Sequence, residues 1–463
     1  MTGARALGRA AAVLGALAML AASASPARAV VTYDFSLGGR AMNTDNLHLD
    51  HEPLAPGERA PVHETIYAAV PALAFQWTQG RDRLALDTRG EYWAFTGDEE
   101  IDPMWIPNLT ADLVWRRTAP FFLEAEGVSE RVPSTQDRES QSVLDEADRT
   151  FVRVRSGLSW ERGANRVVEL AYHGELEYFS GGHPGSDDRV ARHYAEGMVR
   201  HQWSPLWWTQ ITGQYGLIDQ RLAGDYTEMR VAGSVDYRFS ERLTARARLE
   251  WVRDDYDAFA APDDGEETPA HETTSFLKSA EIRGQLERDG FWTLGYEDRL
   301  EAQPDGDTLQ LGRASGSARI RARLGSEVGG ELWHETRDFR ESGRDETDWG
   351  PTLLARWAIA PWLALDLGGS WTRASIQEPG VVEIVDKTGR AAAALVVLLG
   401  RHFVAEAGYS YRTNDSTDDT RSYTANLYYA GLTYHFAILA PGTIPASEVR
   451  RMASSDDTLA GRR

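Results

Sequence analysis

Tyr423–Phe436, YTANLYYAGLTYHF, is the stretch on which the reading of the fold depends. Taken alternately, Tyr428, Ala430, Leu432, Tyr434 and Phe436 form one face, while Asn426, Tyr429, Gly431, Thr433 and His435 fall on or near the other. Period-two alternation describes a strand with different surroundings on its two sides. A terminal aromatic is how the closing strand of an outer-membrane barrel ends, one face to lipid and the other to the lumen. Soluble sheets also end in aromatics, so the preceding chain must supply the partners.

It supplies them in a regular order. Alternating segments of roughly ten to fifteen residues recur, as strands that cross a bilayer must. The connections between them are short and long by turns. Short ones fall at Gln79-Gly80-Arg81, Arg117 to Pro120, Arg162-Gly163-Ala164, Ser204-Pro205, Ser240-Glu241, Asp289-Gly290, Gly325-Ser326, Ala360-Pro361 and Gly400-Arg401. Each holds Gly, Pro, Asp or Ser, the residues that close hairpins. Long polar ones lie between, including Met42 to Glu64, Ser129 to Arg149, Asp254 to His271, Asp338 to Thr347 and Ala374 to Lys387. In an up-and-down barrel the periplasmic turns are short and the outer connections long, whereas a soluble sandwich gives no reason for that rhythm. The expectation is an all-β, transmembrane, antiparallel barrel of about 20 strands (18–22), spanning residues 30–436.

The charges follow the same period. Arg153 and Arg155 oppose Val152, Val154, Leu158 and Trp160. Arg230 and Arg238 oppose Val231, Val235, Tyr237 and Phe239. Arg246 and Arg248 oppose Ala245, Ala247 and Leu249, and Arg319, Arg321 and Arg323 oppose Ile320, Ala322 and Leu324. One Arg or Lys on the lipid face near the midplane costs about 2–4 kcal/mol, so three on one strand must face a wet or internally paired lumen. Glu169, Glu175 and Glu177 on one segment, and Glu281 and Glu287 on another, are placed to pair with them. Trp77, Trp115, Trp160, Trp203, Trp207, Trp208, Trp292, Trp357 and Trp362 lie near the short turns, as an interfacial girdle would. Trp93, Trp105, Trp251, Trp333 and Trp349 are candidates for an outer girdle.

The N-terminus reads as a secretory signal. Arg5 and Arg9 precede the apolar run Ala10 to Ala22, and Ala27-Arg28-Ala29 closes with a small-x-small pattern, so residues 1–29 are expected to be removed. No later run approaches the ~20 apolar residues of a spanning helix; Ala391 to Leu399 suits a strand. With 0 Cys the chain has no disulfide, thiolate metal site, Cys nucleophile or covalently attached c-type haem, and no lipoprotein anchor. A net charge of −21 argues against nucleic acid as a partner.

No catalytic constellation stands out: there is no Gly-x-Ser-x-Gly elbow, His-Glu-x-x-His pair or phosphate-binding glycine loop. His48, His51 and His63 crowd one loop beside Asp45, Asp50, Glu52 and Glu64, but exposed loop histidines are usually just solvated. Neither an enzyme nor a metal or other cofactor is expected; a barrel enzyme with a Ser/His/acid group assembled in space on the lumen wall or rim is the less favoured alternative.

Val31 to Leu49, VTYDFSLGGRAMNTDNLHL, couples an opening strand to Thr44-Asp45-Asn46. Val70-Pro71-Ala72-Leu73 and Leu84 to Tyr92 follow. This opening resembles the β-barrel porins associated with PEP-CTERM/exosortase and exopolysaccharide systems. The resemblance covers about the first hundred residues. It implies a Gram-negative outer-membrane location, with outer-membrane lipid, the barrel insertion machinery and polysaccharide-export components as partners. The functions expected are a channel or export pore for an exopolysaccharide or small polar solutes, or else a closed barrel scaffolding an export machine. Tyr434 and Phe436 are expected to close the barrel. The tail 437–463 departs from an ending at the terminal aromatic and reads as a disordered periplasmic extension.

Overall fold

Period-two patterning along most of the chain gives strands, and neighbouring strands pair along nearly their whole length. A computed structural model describes residues 30–46, 63–96, 103–116, 120–133, 146–163, 165–180, 189–220, 225–257, 259–260, 267–268, 270–286, 290–302, 308–322, 325–339, 342–418 and 421–436. The expected signal, the tail and the loop histidines His48 and His51 lie outside these residues.

Eleven strands come first: β1 (Val30–Thr44), β2 (Glu64–Gln79), β3 (Asp82–Phe95), β4 (Met104–Trp115), β5 (Phe121–Pro133), β6 (Glu146–Arg162), β7 (Arg166–Ser180), β8 (Arg189–Ser204), β9 (Trp207–Gln220), β10 (Tyr226–Ser240) and β11 (Leu243–Tyr256). A minimal hairpin of β12 (Phe259–Ala260) and β13 (Glu267–Thr268) stands in the next connection. Nine more strands complete the wall: β14 (His271–Leu286), β15 (Gly290–Ala302), β16 (Thr308–Arg321), β17 (Glu327–Phe339), β18 (Asp345–Ala360), β19 (Leu363–Gln377), β20 (Ile384–Leu399), β21 (Phe403–Ser416) and β22 (Tyr423–His435).

Each wall strand pairs antiparallel with its sequence neighbours, and β1 pairs with β22 from Ser36↔His435 to Thr44↔Leu427. The sheet is therefore a closed barrel of 20 strands with no free edge. At a strand spacing of ~4.8 Å and a tilt of ~40°, such a ring has a backbone diameter of about 40 Å, too wide for wall side chains to fill.

The seam is fixed at both ends. At the short-turn end, the Phe436 amide donates to the Phe35 carbonyl (2.9 Å), and the Phe436 ring packs on Phe35 and Tyr434, each with centroids 4.8 Å apart. At the other end Asp45 clasps β22: its Oδ1 accepts from the Asn426 amide and its Oδ2 from the Asn426 side chain, both at 2.6 Å. Asn46 donates to the Thr424 carbonyl at 3.0 Å. Asn426 thus shares the face of Tyr428, correcting its expected assignment to the other. Tyr409, on the Tyr428 side, also donates to it (2.6 Å).

Several long connections are shorter than the sequence implied. β17 runs to Phe339 and β18 starts at Asp345; β19 runs to Gln377 and β20 starts at Ile384. A strand of about 15 residues at that tilt rises about 38 Å, against an apolar band of about 25 Å. Beyond the band the outward face has no need of apolar residues, so pairing continues while the alternation that marks a strand in sequence disappears. Short turns are tight; Gly80 (φ 63) and Gly400 (φ 75) adopt the left-handed region that glycine enters without a Cβ clash.

Candidate functional site

The two faces differ sharply. One parity exposes Ile211, Leu249 (70%), Phe276 (74%), Leu332, Leu353 and Trp357, a set of bare apolar side chains suited to lipid. The other carries ion pairs. That the charged face is the concave one follows from reach: Arg155 on β6 meets Glu196 on β8 at 2.5 Å, across the intervening strand β7. The inner wall is the candidate site.

Its densest part spans β5 to β8. Arg155 also meets Glu169 (2.8 Å) and Glu124 (3.4 Å), while Arg153 meets Glu175 (2.9 Å) and Glu126 (3.4 Å). Arg149 bridges Glu177 (2.5 Å) and Glu130 (3.4 Å), and Arg192 meets Glu177 at 3.2 Å. Arg155 and Arg116 lie over the buried Phe122 ring, so the guanidinium planes are packed as well as paired. Around the barrel, Arg230 meets Glu228 (2.5 Å), Arg248 meets Glu250 (2.7 Å) and Arg246 meets Asp236 (2.5 Å). Arg283 meets Glu281 (3.6 Å), and Arg319 and Arg321 share Glu327, Arg321 at 3.4 Å.

The structure therefore places Arg153, Arg155, Glu169, Glu175, Glu177, Arg230, Arg238, Arg246, Arg248, Glu281, Arg319 and Arg321 on the inner face. Arg238 reaches no carboxylate among the described residues; Arg323 and Glu287 lie outside them. Three tryptophans expected in the girdles instead turn inward. Trp208 lies under Arg200 (5.3 Å) and Trp333 under Arg313 (5.3 Å), while Trp93 donates to Glu91 (2.9 Å). Each has a cation or carboxylate to satisfy its ring or indole N–H, so interior placement is compatible with the amphipathic side chain.

Two features were not singled out by sequence. One is the Arg356–Asp366 pair: two hydrogen bonds of 2.7 Å join them, and Asp366 is 0% exposed. The other is uneven burial along the inner wall. Near the long connections, inward residues such as Val190, Val252, Leu309, Glu228, Glu335 and Glu64 are buried. Near the short turns Phe122, Ala364 and Asp366 are buried as well, while Arg246, Arg283 and Arg321 stay more than half exposed. A hollow of about 840 Å³ near the short-turn mouth is lined by Asp34, Asp87, Asp112, Glu124, Glu126 and Arg153 among others. That acidic side, on β1 to β6, faces the arginines of β10 to β16 about half a turn around the ring.

No family model matches the chain, and no curated protein matches it. Similar solved structures include the ferric-catecholate import receptor Fiu of E. coli K12 in an open form, with TM-score 0.45, 9% identity, and 87% and 82% of the two chains covered. The outer membrane protein opdK of Pseudomonas aeruginosa gives 0.40, 12%, 88% and 99%. A mutant of the P. aeruginosa ferric enterobactin receptor PfeA gives 0.49, 10%, 89% and 81%. The barrel itself rests on the strand pairing.

Proposed function

We propose that this chain forms an aqueous channel across the outer membrane of a Gram-negative bacterium, passing small polar or charged solutes. One observation carries the reading: a closed ring of 20 strands whose outer face is apolar and whose inner face is lined with arginines and carboxylates. Rings of sixteen or more strands leave a passage that side chains alone do not fill. Arginines and carboxylates set together around the inner wall favour solutes that carry both signs or many hydroxyls. An exported polysaccharide remains a cargo within this proposal, on the resemblance of the opening segment alone. Signal cleavage after Ala29 and handling by the barrel insertion machinery complete it.

A second reading has its own observation. The inner wall of β5 to β8 is knit by ion pairs, Arg155 alone meeting Glu124, Glu169 and Glu196, as in a lumen closed by Arg–carboxylate pairs. A lumen shut in that way would serve as a scaffold for an export machine instead. Planar-bilayer recording with the purified chain separates the two. The channel gives stepwise currents; silence at every voltage and salt tried would leave the scaffold.

A further inference from the structure

The outer wall is not evenly filled. Between β14 and β18 it carries a hollow of about 720 Å³, floored by Ala280, Ala314 and Gly316 and walled by Leu294, Leu332 and Trp349. The floor is low because the side chains there are a methyl or less. Alongside runs one continuous register row: Ala280↔Tyr296↔Ala314↔His334↔Trp349↔Arg373↔Lys387. Every member has the outward parity.

The cations of this face complete the picture. Most wall arginines point inward, whereas the only two lysines of the chain, Lys278 and Lys387, both point outward. In the half nearer the long connections, Arg189 meets Asp219 (2.5 Å), Arg253 meets Glu272 (3.0 Å) and Lys387 meets Asp415 (3.5 Å). Lys278 and Arg373 meet no carboxylate among the described residues. Lys278 lies over the Tyr296 ring at 5.4 Å, and nearby Asp298 is engaged by the Tyr296 hydroxyl. These two uncompensated cations flank the hollow, one on β14 and one on β19. Five strand spacings of ~4.8 Å set them about 24 Å apart along the wall, too far to share one phosphate.

We propose that the hollow seats a phosphoglycolipid of the outer leaflet bearing several acyl chains and two phosphates. Its chains lie over Ala280, Ala314 and Gly316, with one phosphate toward Lys278 and the other toward Arg373. Long basic side chains reach from apolar wall to headgroup level, which is what these positions require. The proposal rests on the outer-membrane placement above, not on an open lumen.

The test is native mass spectrometry of the detergent-purified barrel with three probes: a multiply acylated diglucosamine bisphosphate, its dephosphorylated form, and inorganic phosphate as competitor. The expected result is retention of one bisphosphorylated molecule. Affinity falls about thirtyfold in the Lys278→Gln/Arg373→Gln variant, the effect of two surface cations, and by a similar factor for the dephosphorylated probe. Ala314→Phe weakens both lipids by filling the floor, and Arg189→Gln changes neither. Equal retention of the two lipids by the unmodified chain, unchanged affinity in the double variant, or displacement by inorganic phosphate would overturn the proposal. Heat-modifiable gel mobility confirms that each variant is folded. Retained lipid with no conductance would refute the channel and leave this site standing; normal conductance with no lipid preference would do the reverse.

Discussion

At the scale of single residues, Arg356 and Asp366 form the pair with most at stake. Asp366 has no exposed surface, and the two hydrogen bonds satisfy both carboxylate oxygens. Removing one partner strands a buried charge. Asp366→Ala is expected to cost about 3–5 kcal/mol, while replacing both residues by apolar ones of similar volume recovers most of it. Urea unfolding in detergent, followed by tryptophan fluorescence, measures both. Asp45 is a second such residue: Asp45→Ala removes two bonds across the seam and should cost about 1–3 kcal/mol. Unfolding midpoints would show it, and no change would mean the clasp is idle. Sequence parity made Arg153 and Arg155 legible because their strand alternates cleanly. Asp366 was not legible, since a lone carboxylate in LALDLGG shows nothing of the arginine opposite it.

For whole strands, the sharpest consequence concerns adjacent positions. Leu353 is exposed on the outer face and Thr352 is turned inward. Leu353→Arg should cost about 2–4 kcal/mol in a bilayer, whereas Thr352→Arg, one residue away, should cost far less. Folding titrations into neutral vesicles would compare them, and equal penalties would contradict the facing. Glycines inside strands have a related role: Tyr429 lies flat on Gly408 opposite it, occupying the space a Cβ would need, while its hydroxyl donates to Glu406 at 2.8 Å. Gly408→Val should lift that ring and weaken the β21–β22 pairing, read as a lower thermal midpoint. Strand existence was legible from alternation. The outer strand ends were not, because beyond the lipid band both faces are wet and polar residues occupy both.

Across the whole molecule, closure by β1 and β22 and the count of 20 follow from the rhythm of short and long connections, which is a global pattern in the sequence. What that rhythm does not encode is how the charges are distributed around the ring. Asp87, Asp112, Glu124 and Glu126 come onto one side of the short-turn mouth only because β3, β4 and β5 are neighbours. Arg238, Arg246 and Arg321 stand across from them. If solutes pass this mouth, replacing those three arginines by glutamine should shift the reversal potential in a salt gradient toward cation preference. An unchanged value would mean that ions do not pass them.

The central claim is that alternate residues of one strand face lipid and water. A chain with 0 Cys allows a direct test, because any thiol introduced is the only one present. Single cysteines are placed at Ala245, Arg246, Ala247, Arg248 and Leu249 of β11 in the barrel folded into vesicles, and a charged, membrane-impermeant maleimide is added. Labelling should alternate, with positions 246 and 248 reacting and 245, 247 and 249 protected. Uniform labelling, or protection at 246 and 248, would contradict it.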